Sequence, residues 1–84
     1  MFVIAVIPGY NVENTVRKVV EETKKYVDEV IFVDDGSRDR SAEEAKKGGA
    51  NVIRLPENQG KGFALRTGIK AAIEKGADVI VTLD

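Results

Sequence analysis

Cysteine, histidine and tryptophan are all absent from this chain of 84 residues. Without cysteine, the chain has no disulfide scaffold, no thiol nucleophile and no zinc site built on thiolates. Without histidine, imidazole general bases, histidine-dependent triads and histidine-ligated metals are excluded as well. Any metal ion that the chain binds must therefore be a hard cation held by oxygen ligands.

The chain also lacks an excess of one charge and a long apolar run. Thirteen basic and fourteen acidic residues give a net charge of −1, which argues against a nucleic-acid-binding surface. The first apolar run, residues 2–7, ends at Pro8. It is too short to span a membrane and lacks the basic start of a signal peptide. We therefore expect no nucleic-acid partner, no transmembrane segment in this chain and a cytoplasmic location.

The overall composition is that of a folded chain, with 43% hydrophobic and 32% charged residues. A chain of this length forms one domain with a modest core. Abundant lysine and glutamate, with no cysteine or histidine and one methionine, predict a heat-adapted source.

Short apolar runs alternate with amphipathic stretches. The runs predict four buried strands, at residues 2–7, 30–33, 52–55 and 79–83. Three helices are predicted between them. The apolar face of the first carries Val12, Val16, Val19, Val20 and Val27, and that of the third carries Leu65, Ile69, Ala72 and Ile73. The β-α-β-α-β-α-β order predicts an α/β fold in three layers, with a parallel four-stranded sheet in the order 3-2-1-4.

Local signals predict where the helices begin and end. Asn11 is a candidate N-cap of the first helix. Ser41 and Glu44 fit a capping box at the start of the second helix, which the glycine pair at 48–49 ends. Gly76 is expected to end the third helix.

Ligands of open parallel sheets bind beyond the carboxyl ends of the strands. In this chain the loops at 8–11, 34–40 and 56–62 and the residue Asp84 all fall at that edge. The acidic pair at 34–35 is compatible with ligand binding and equally with ordinary turn chemistry, in which Asp and Ser satisfy nearby backbone groups. Lys61, between two glycines at a helix start, suits a diphosphate, or it is a solvated lysine on a tight turn.

Four stretches in register resemble the amino-terminal half of family-2 glycosyltransferases, which have the Rossmann-like GT-A fold and include dolichol-phosphate mannosyltransferase-like enzymes. The matching stretches are residues 6–11, 30–39, 58–68 and 77–84. The resemblance implies an enzyme that transfers a sugar from a UDP- or GDP-linked donor with inversion. It also implies that residues 1–84 are a single nucleotide-binding half-domain that ends at the first acid of the family's Asp-x-Asp motif.

The resemblance also assigns roles to individual residues. Pro8 and Tyr10 would line the nucleotide pocket, Val33 would contact the base or ribose, and Asp35 would accept hydrogen bonds from the base. Lys61 would lie near the nucleotide. Asp84 would help to hold Mg²⁺ or Mn²⁺ against the diphosphate, where the cation neutralises the leaving group.

Two departures from the family pattern are visible. The family usually has an acid directly after the Tyr-Asn pair, and this chain has Val12 there, with Glu13 one residue later. Unless the helix start shifts, a nucleotide contact is lost. The second Asp-x-Asp acid, the catalytic base and the acceptor site lie downstream in the family, so we expect no transfer by these residues alone.

Two other functions compete with this interpretation. The fourth strand is an apolar edge that could pair with a second copy, which would make the chain a self-associating module with a vestigial pocket and a homo-oligomer. A phosphoacceptor receiver-like domain would need an acidic pair after the first strand and a lysine after a fifth. Neither is present.

Overall fold

The computed structural model describes residues 1–83 as alternating strands and helices, as the apolar pattern predicts. The elements are β1 (Val3–Gly9), α1 (Val16–Thr23), β2 (Glu29–Asp34), α2 (Ser41–Gly48), β3 (Asn51–Arg54), α3 (Lys61–Glu74) and β4 (Val79–Thr82). All strand pairs are parallel, in the order β3-β2-β1-β4. The predicted fold class and strand order are therefore confirmed.

The sheet has an apolar core on each face. On one face, α1 and α2 pack against β1 and β2 around the fully buried ring of Phe32. On the other face, α3 covers the central strands in the described part of the chain. The three layers follow from the continuous apolar runs of β1 and β2, which have no polar side chain to turn toward water.

The buried face of α3 consists of small residues, Ala64, Gly68 and Ala72. They let the helix backbone approach the sheet closely. The predicted apolar stripe was therefore wrong at Ile73, whose side chain is 63% exposed, while Leu65 and Ile69 are half-buried. Gly49 and Gly76 do end their helices with positive φ angles, as predicted.

The two predicted helix caps were wrong. In the described residues no side chain caps α1, which begins at Val16. Asn11 lies earlier, in the left-handed region with a φ of 53°. Ser41 is the first residue of α2 rather than its cap, which is Arg40. Both side chains make hydrogen bonds between loops instead.

Two aspartates hold the amino end of β1. Asp28 accepts a hydrogen bond from Val3 N at 2.8 Å, and Asp78 accepts one from Phe2 N at 2.7 Å. Their own backbone N–H groups donate to the carbonyls of the same two residues. Since Asp28 precedes β2 and Asp78 precedes β4, the pair fixes β1 between its two neighbours.

Candidate functional site

The carboxyl edge of the sheet holds a cavity of about 270 Å³. It lies between the ends of β1 and β2 and the start of α3. Its lining residues are Pro8, Gly9, Tyr10, Val12, Asp35 and Lys61. Four of the six residues predicted from the sequence, Pro8, Tyr10, Asp35 and Lys61, therefore meet in one place. Three larger grooves, of about 540, 430 and 420 Å³, contain none of the predicted residues.

The other two predicted residues are not among the lining residues. The side chain of Val33 is fully buried in the core beneath α3. Its side chain cannot reach a ligand unless that core opens. Asp84, the residue predicted to bind both nucleotide and metal, lies outside the described residues.

The carboxylate of Asp35 joins two loops. It is 4% exposed and accepts hydrogen bonds from Gln59 N at 2.7 Å and Gly60 N at 3.0 Å. These two N–H groups immediately precede α3, whose first residue is Lys61. Asp35 therefore fixes the start of α3 at the cavity. The second lone pair of each carboxylate oxygen remains a potential acceptor for a ligand.

The neighbouring Asp34 performs the turn chemistry that the sequence left open. Its Oδ1 accepts a hydrogen bond from Ser37 N at 2.9 Å, which closes the turn at residues 34–37. Its Oδ2 lies 3.5 Å from Nε of Arg54 on β3. Asp34 is fully buried and is not among the lining residues of the cavity. Of the acidic pair, Asp34 thus closes a local turn, whereas Asp35 contacts the distant loop before α3.

Gly36 lies in the same turn with a φ of 76°. A Cβ atom at this position would lie 2.5 Å from the carbonyl carbon of Glu57 and 2.6 Å from Asn58 N. The backbone of the turn therefore packs directly on the backbone that leads to α3. Only glycine fits both the left-handed conformation and this close approach.

Sequence reasoning did not find the residues that hold the β1–α1 loop. Three successive backbone N–H groups, those of residues 11–13, donate to side chains from the β2–α2 loop and from the first residue of α2. Asn11 N donates to Ser37 Oγ at 2.8 Å, Val12 N to Ser41 Oγ at 2.7 Å and Glu13 N to Asp39 Oδ2 at 3.2 Å. The alternating positions 37, 39 and 41 are the signal in the sequence. Interpreting it requires knowing that the two loops are adjacent.

Asp39 is the charged member of this set. Burial raises the pKa of its carboxyl group, but hydrogen bonds from the Ser41 hydroxyl and backbone and from the Glu13 backbone outweigh that effect. The net pKa lies below the ordinary value of 3.8. The carboxylate therefore stays ionised and remains an acceptor for these donors at neutral pH.

Val12 stands directly after the Tyr-Asn pair, where the family pattern has an acid. Its side chain lines the cavity, and its backbone N–H is bound by Ser41. Glu13 is not among the lining residues. The loop therefore contributes an apolar wall at this point, beside the ring of Tyr10.

The described residues contain neither a metal-binding cluster of acidic side chains nor a helix that could span a membrane. Among residues 1–83 no group of three or more acidic side chains could hold a metal ion. No helix in that range is long and apolar enough to cross a membrane. The residues of the cavity fit an organic anion better than a bare cation, since one lysine and the positive end of α3 face one carboxylate.

Comparisons with known proteins agree with this geometry. The family model described as glycosyl transferase family 2 matches residues 4–84. An uncharacterized protein of Methanocaldococcus jannaschii is 39% identical over 83 residues, which cover 98% of this chain and 34% of that protein. The UDP-N-acetylglucosamine–dolichyl-phosphate N-acetylglucosaminyltransferase of Methanococcus voltae is 35% identical over 97 residues, covering 94% of this chain and 39% of that enzyme.

A solved structure shows the same architecture. Glucosyl-3-phosphoglycerate synthase from Mycobacterium tuberculosis, in complex with Mn²⁺, UDP-glucose and phosphoglyceric acid, aligns with a TM-score of 0.79 at 29% identity. The alignment covers 99% of this chain and 32% of that one. The chain thus spans about a third of the length of the proteins that it resembles.

Proposed function

Because this chain belongs to glycosyl transferase family 2, we propose that it forms the part of such an enzyme that binds the nucleotide diphosphate of a UDP- or GDP-linked sugar donor. The observation that carries the proposal is the meeting of Pro8, Tyr10, Asp35 and Lys61 in one cavity at the carboxyl edge of the sheet. A crevice at this edge is where open α/β sheets bind their ligands.

The cavity has separate apolar and charged regions. Pro8, Tyr10 and Val12 offer a surface on which a base or ribose can pack, and Asp35 offers acceptors to their N–H or O–H groups. Lys61 and the amino end of α3 offer positive charge to the diphosphate. We therefore propose that the base binds in the apolar region beside β1 and that the diphosphate binds in the charged region beside α3.

The proposal includes a divalent cation that binds together with the nucleotide. Asp84 would supply a carboxylate, and the diphosphate itself would supply further oxygen ligands. When bound, Mg²⁺ or Mn²⁺ would neutralise the charge that develops on the leaving diphosphate. The described residues contain no acid cluster to bind the cation alone, so we expect metal and nucleotide to bind together.

We further propose that residues 1–84 correspond to the amino-terminal half-domain of a longer enzyme architecture. The relatives are about three times as long, which supports this division. The 84 residues by themselves are then expected to bind donor without transferring its sugar. Formation of a glycosylated product by these residues alone would contradict this part of the proposal.

The nucleotide proposal predicts a metal-dependent gain in stability. Melting temperatures are measured with UDP, GDP and their sugar conjugates, each with and without Mn²⁺. A ligand at 100 times its dissociation constant should add about 2.7 kcal/mol to the free energy of unfolding. Lys61→Ala should weaken binding about 10- to 100-fold, the range for a charged contact of about 1.5–3 kcal/mol.

Lys70→Ala is the matched control for Lys61→Ala. Lys70 lies on the same helix but outside the cavity, in one of the larger grooves. Equal affinities of the two variants would contradict the assignment of the diphosphate to Lys61. No shift with any nucleotide would contradict the proposed function itself.

A second candidate function is self-association through β4. This strand forms one edge of the sheet in the described part of the chain. Val79 and Val81 are 37% and 40% exposed, on the face that α1 and α2 cover over the other strands. A second copy that pairs along this edge would cover both the open backbone groups and the valines.

Self-association predicts a mass that rises with concentration. Light scattering should approach twice the 9.2 kDa of one chain, and Val81→Lys should return the mass to that of a monomer. Tyr26→Lys, at an exposed aromatic residue outside β4, is the control and should leave the dimer intact. A monomer at every concentration would exclude this function.

A further inference from the structure

The β1–α1 loop carries two lining residues of the cavity, Tyr10 and Val12, and is held from outside the cavity. We propose that Asp39 and Ser41 are positioning residues of the nucleotide pocket, which fix this loop so that Tyr10 and Val12 form its wall. Neither Asp39 nor Ser41 is a lining residue. The inference rests on the proposed function for its binding readout, but its geometric basis is independent of it.

The backbone of the loop needs acceptors that it cannot provide itself. Residues 11–13 precede α1, so their N–H groups have no partner within that helix. Backbone N–H groups that are shielded from water must be paired, because an unpaired group loses its hydrogen bond to water without a replacement. Here all three are paired with side chains 26 to 29 residues further along the chain.

The acceptors are themselves held rigidly. Asp39 Oδ1 accepts hydrogen bonds from Ser41 N at 2.9 Å and Ser41 Oγ at 2.5 Å. Ser41 Oγ therefore donates to Asp39 while it accepts from Val12 N. Since Ser41 is fully buried at the start of α2, its hydroxyl has no alternative partner in water. Hydrogen bonds of Asp39 and Ser41 thus connect the start of α2 to the β1–α1 loop.

The same short stretch holds the opposite wall of the cavity. Asp35 binds the backbone before α3 through Gln59 and Gly60, which places Lys61. Asp39 and Ser41 bind the backbone after β1, which places Tyr10 and Val12. Residues 35–41 thus set the separation between the apolar wall and the charged wall. A change at Asp39 should alter binding although Asp39 does not line the cavity.

The test uses the fluorescence of Tyr10 to report on the position of the β1–α1 loop. The chain contains two tyrosines and no tryptophan, so the Tyr26→Phe background leaves Tyr10 as the only tyrosine. Asp39→Ala and Ser41→Ala are made in this background. We measure acrylamide quenching of Tyr10 fluorescence and the affinities for UDP and GDP with Mn²⁺. We expect Tyr10 quenching to increase and the affinity to fall about tenfold, the effect of losing roughly 1.4 kcal/mol.

Asp28→Ala is the matched control. It removes the same kind of bond, from a backbone N–H of Val3 to a carboxylate, at the opposite edge of the sheet. It should lower the melting temperature without changing Tyr10 quenching or nucleotide affinity. If Asp39→Ala and Ser41→Ala leave Tyr10 quenching at the level of Asp28→Ala, the positioning role is wrong.

The two readouts separate failure of the inference from failure of the proposed function. If the Tyr26→Phe protein binds neither UDP nor GDP, the proposed function fails, and Tyr10 quenching still decides whether Asp39 and Ser41 position the loop. If Asp39→Ala does not fold, Ser41→Ala decides, because it removes the acceptor of Val12 N and keeps the carboxylate.

Discussion

Replacing Gly36 with alanine should destabilise the protein by about 2–5 kcal/mol. The φ of 76° costs an L-residue about 1–2 kcal/mol. The new Cβ would also lie 2.5–2.8 Å from three backbone atoms of residues 57–58, and relief of such overpacking typically costs about 1–3 kcal/mol. A domain of this size has roughly 4–12 kcal/mol of stability in total, so the loss is a large fraction of it.

Gly76→Ala provides the matched control, measured by denaturant unfolding beside Gly36→Ala. Gly76 has a similar φ of 87°, but its added Cβ would meet nothing within 4 Å. It should therefore show the conformational penalty alone. The difference between the two variants measures how firmly the turn at residues 34–37 rests on the loop before α3. Equal losses would show that the two backbones are not in the contact described here.

Gly68→Ala should destabilise the protein by about 1–2 kcal/mol although alanine favours helices. Its Cβ would lie 2.3 Å from Val6 Cγ1 and 3.0 Å from Val33 Cγ2. Both valines are fully buried on central strands and have short, branched side chains that cannot swing away. The overpacking, about 1–3 kcal/mol, should exceed the gain of up to about 1 kcal/mol in helix propensity.

Gly62→Ala, on the same helix, should have the opposite sign. The nearest atom to its added Cβ is Arg66 Nη1 at 3.6 Å, an ordinary contact with a flexible side chain. Only the propensity gain applies, so thermal or urea unfolding should show a modest increase in stability. A stable Gly68→Ala variant would show that α3 can lift from the sheet at little cost, and the small-residue face would then need another explanation.

The fold was predictable because its signals are local and mutually consistent. The runs at β1 and β2 are continuous and β-branched, and crossover helices between parallel strands permit few arrangements. The edge at which Pro8, Tyr10, Asp35 and Lys61 meet follows from the same topology. The resemblance to family 2, noted from the sequence motifs, is confirmed by the family match.

The wrong predictions concern residues whose side chains can contact either a nearby or a distant part of the chain. Asn11 and Ser41 are good capping residues by type, yet both bind the neighbouring loop. Ile73 was placed on the buried face because large apolar residues usually face a core, whereas α3 approaches the sheet through Ala64, Gly68 and Ala72. Because β2 is buried on both faces, its sequence does not indicate whether Val33 would contact a ligand through its side chain or through its backbone.

Several expectations stay predictions. They are the roles of Pro8, Tyr10, Val33, Asp35, Lys61 and Asp84 in binding, the homo-oligomer, the cytoplasmic location and the heat-adapted source. Each is tested by a ligand, a partner or a measurement on the protein in solution.

The central position of β1 has a consequence for synthesis. β1 precedes the other three described strands in the chain, but it pairs on one side with β2 and on the other with β4. While residues 35–78 emerge from the ribosome, one side of β1 has no hydrogen-bonding neighbour, and α3 is made before that neighbour is. Open apolar edges of this kind favour association between nascent chains. The first of the four described strands is thus among the last to be completed, and Asp78, which binds β1 just before β4 begins, arrives in time to guide that closure.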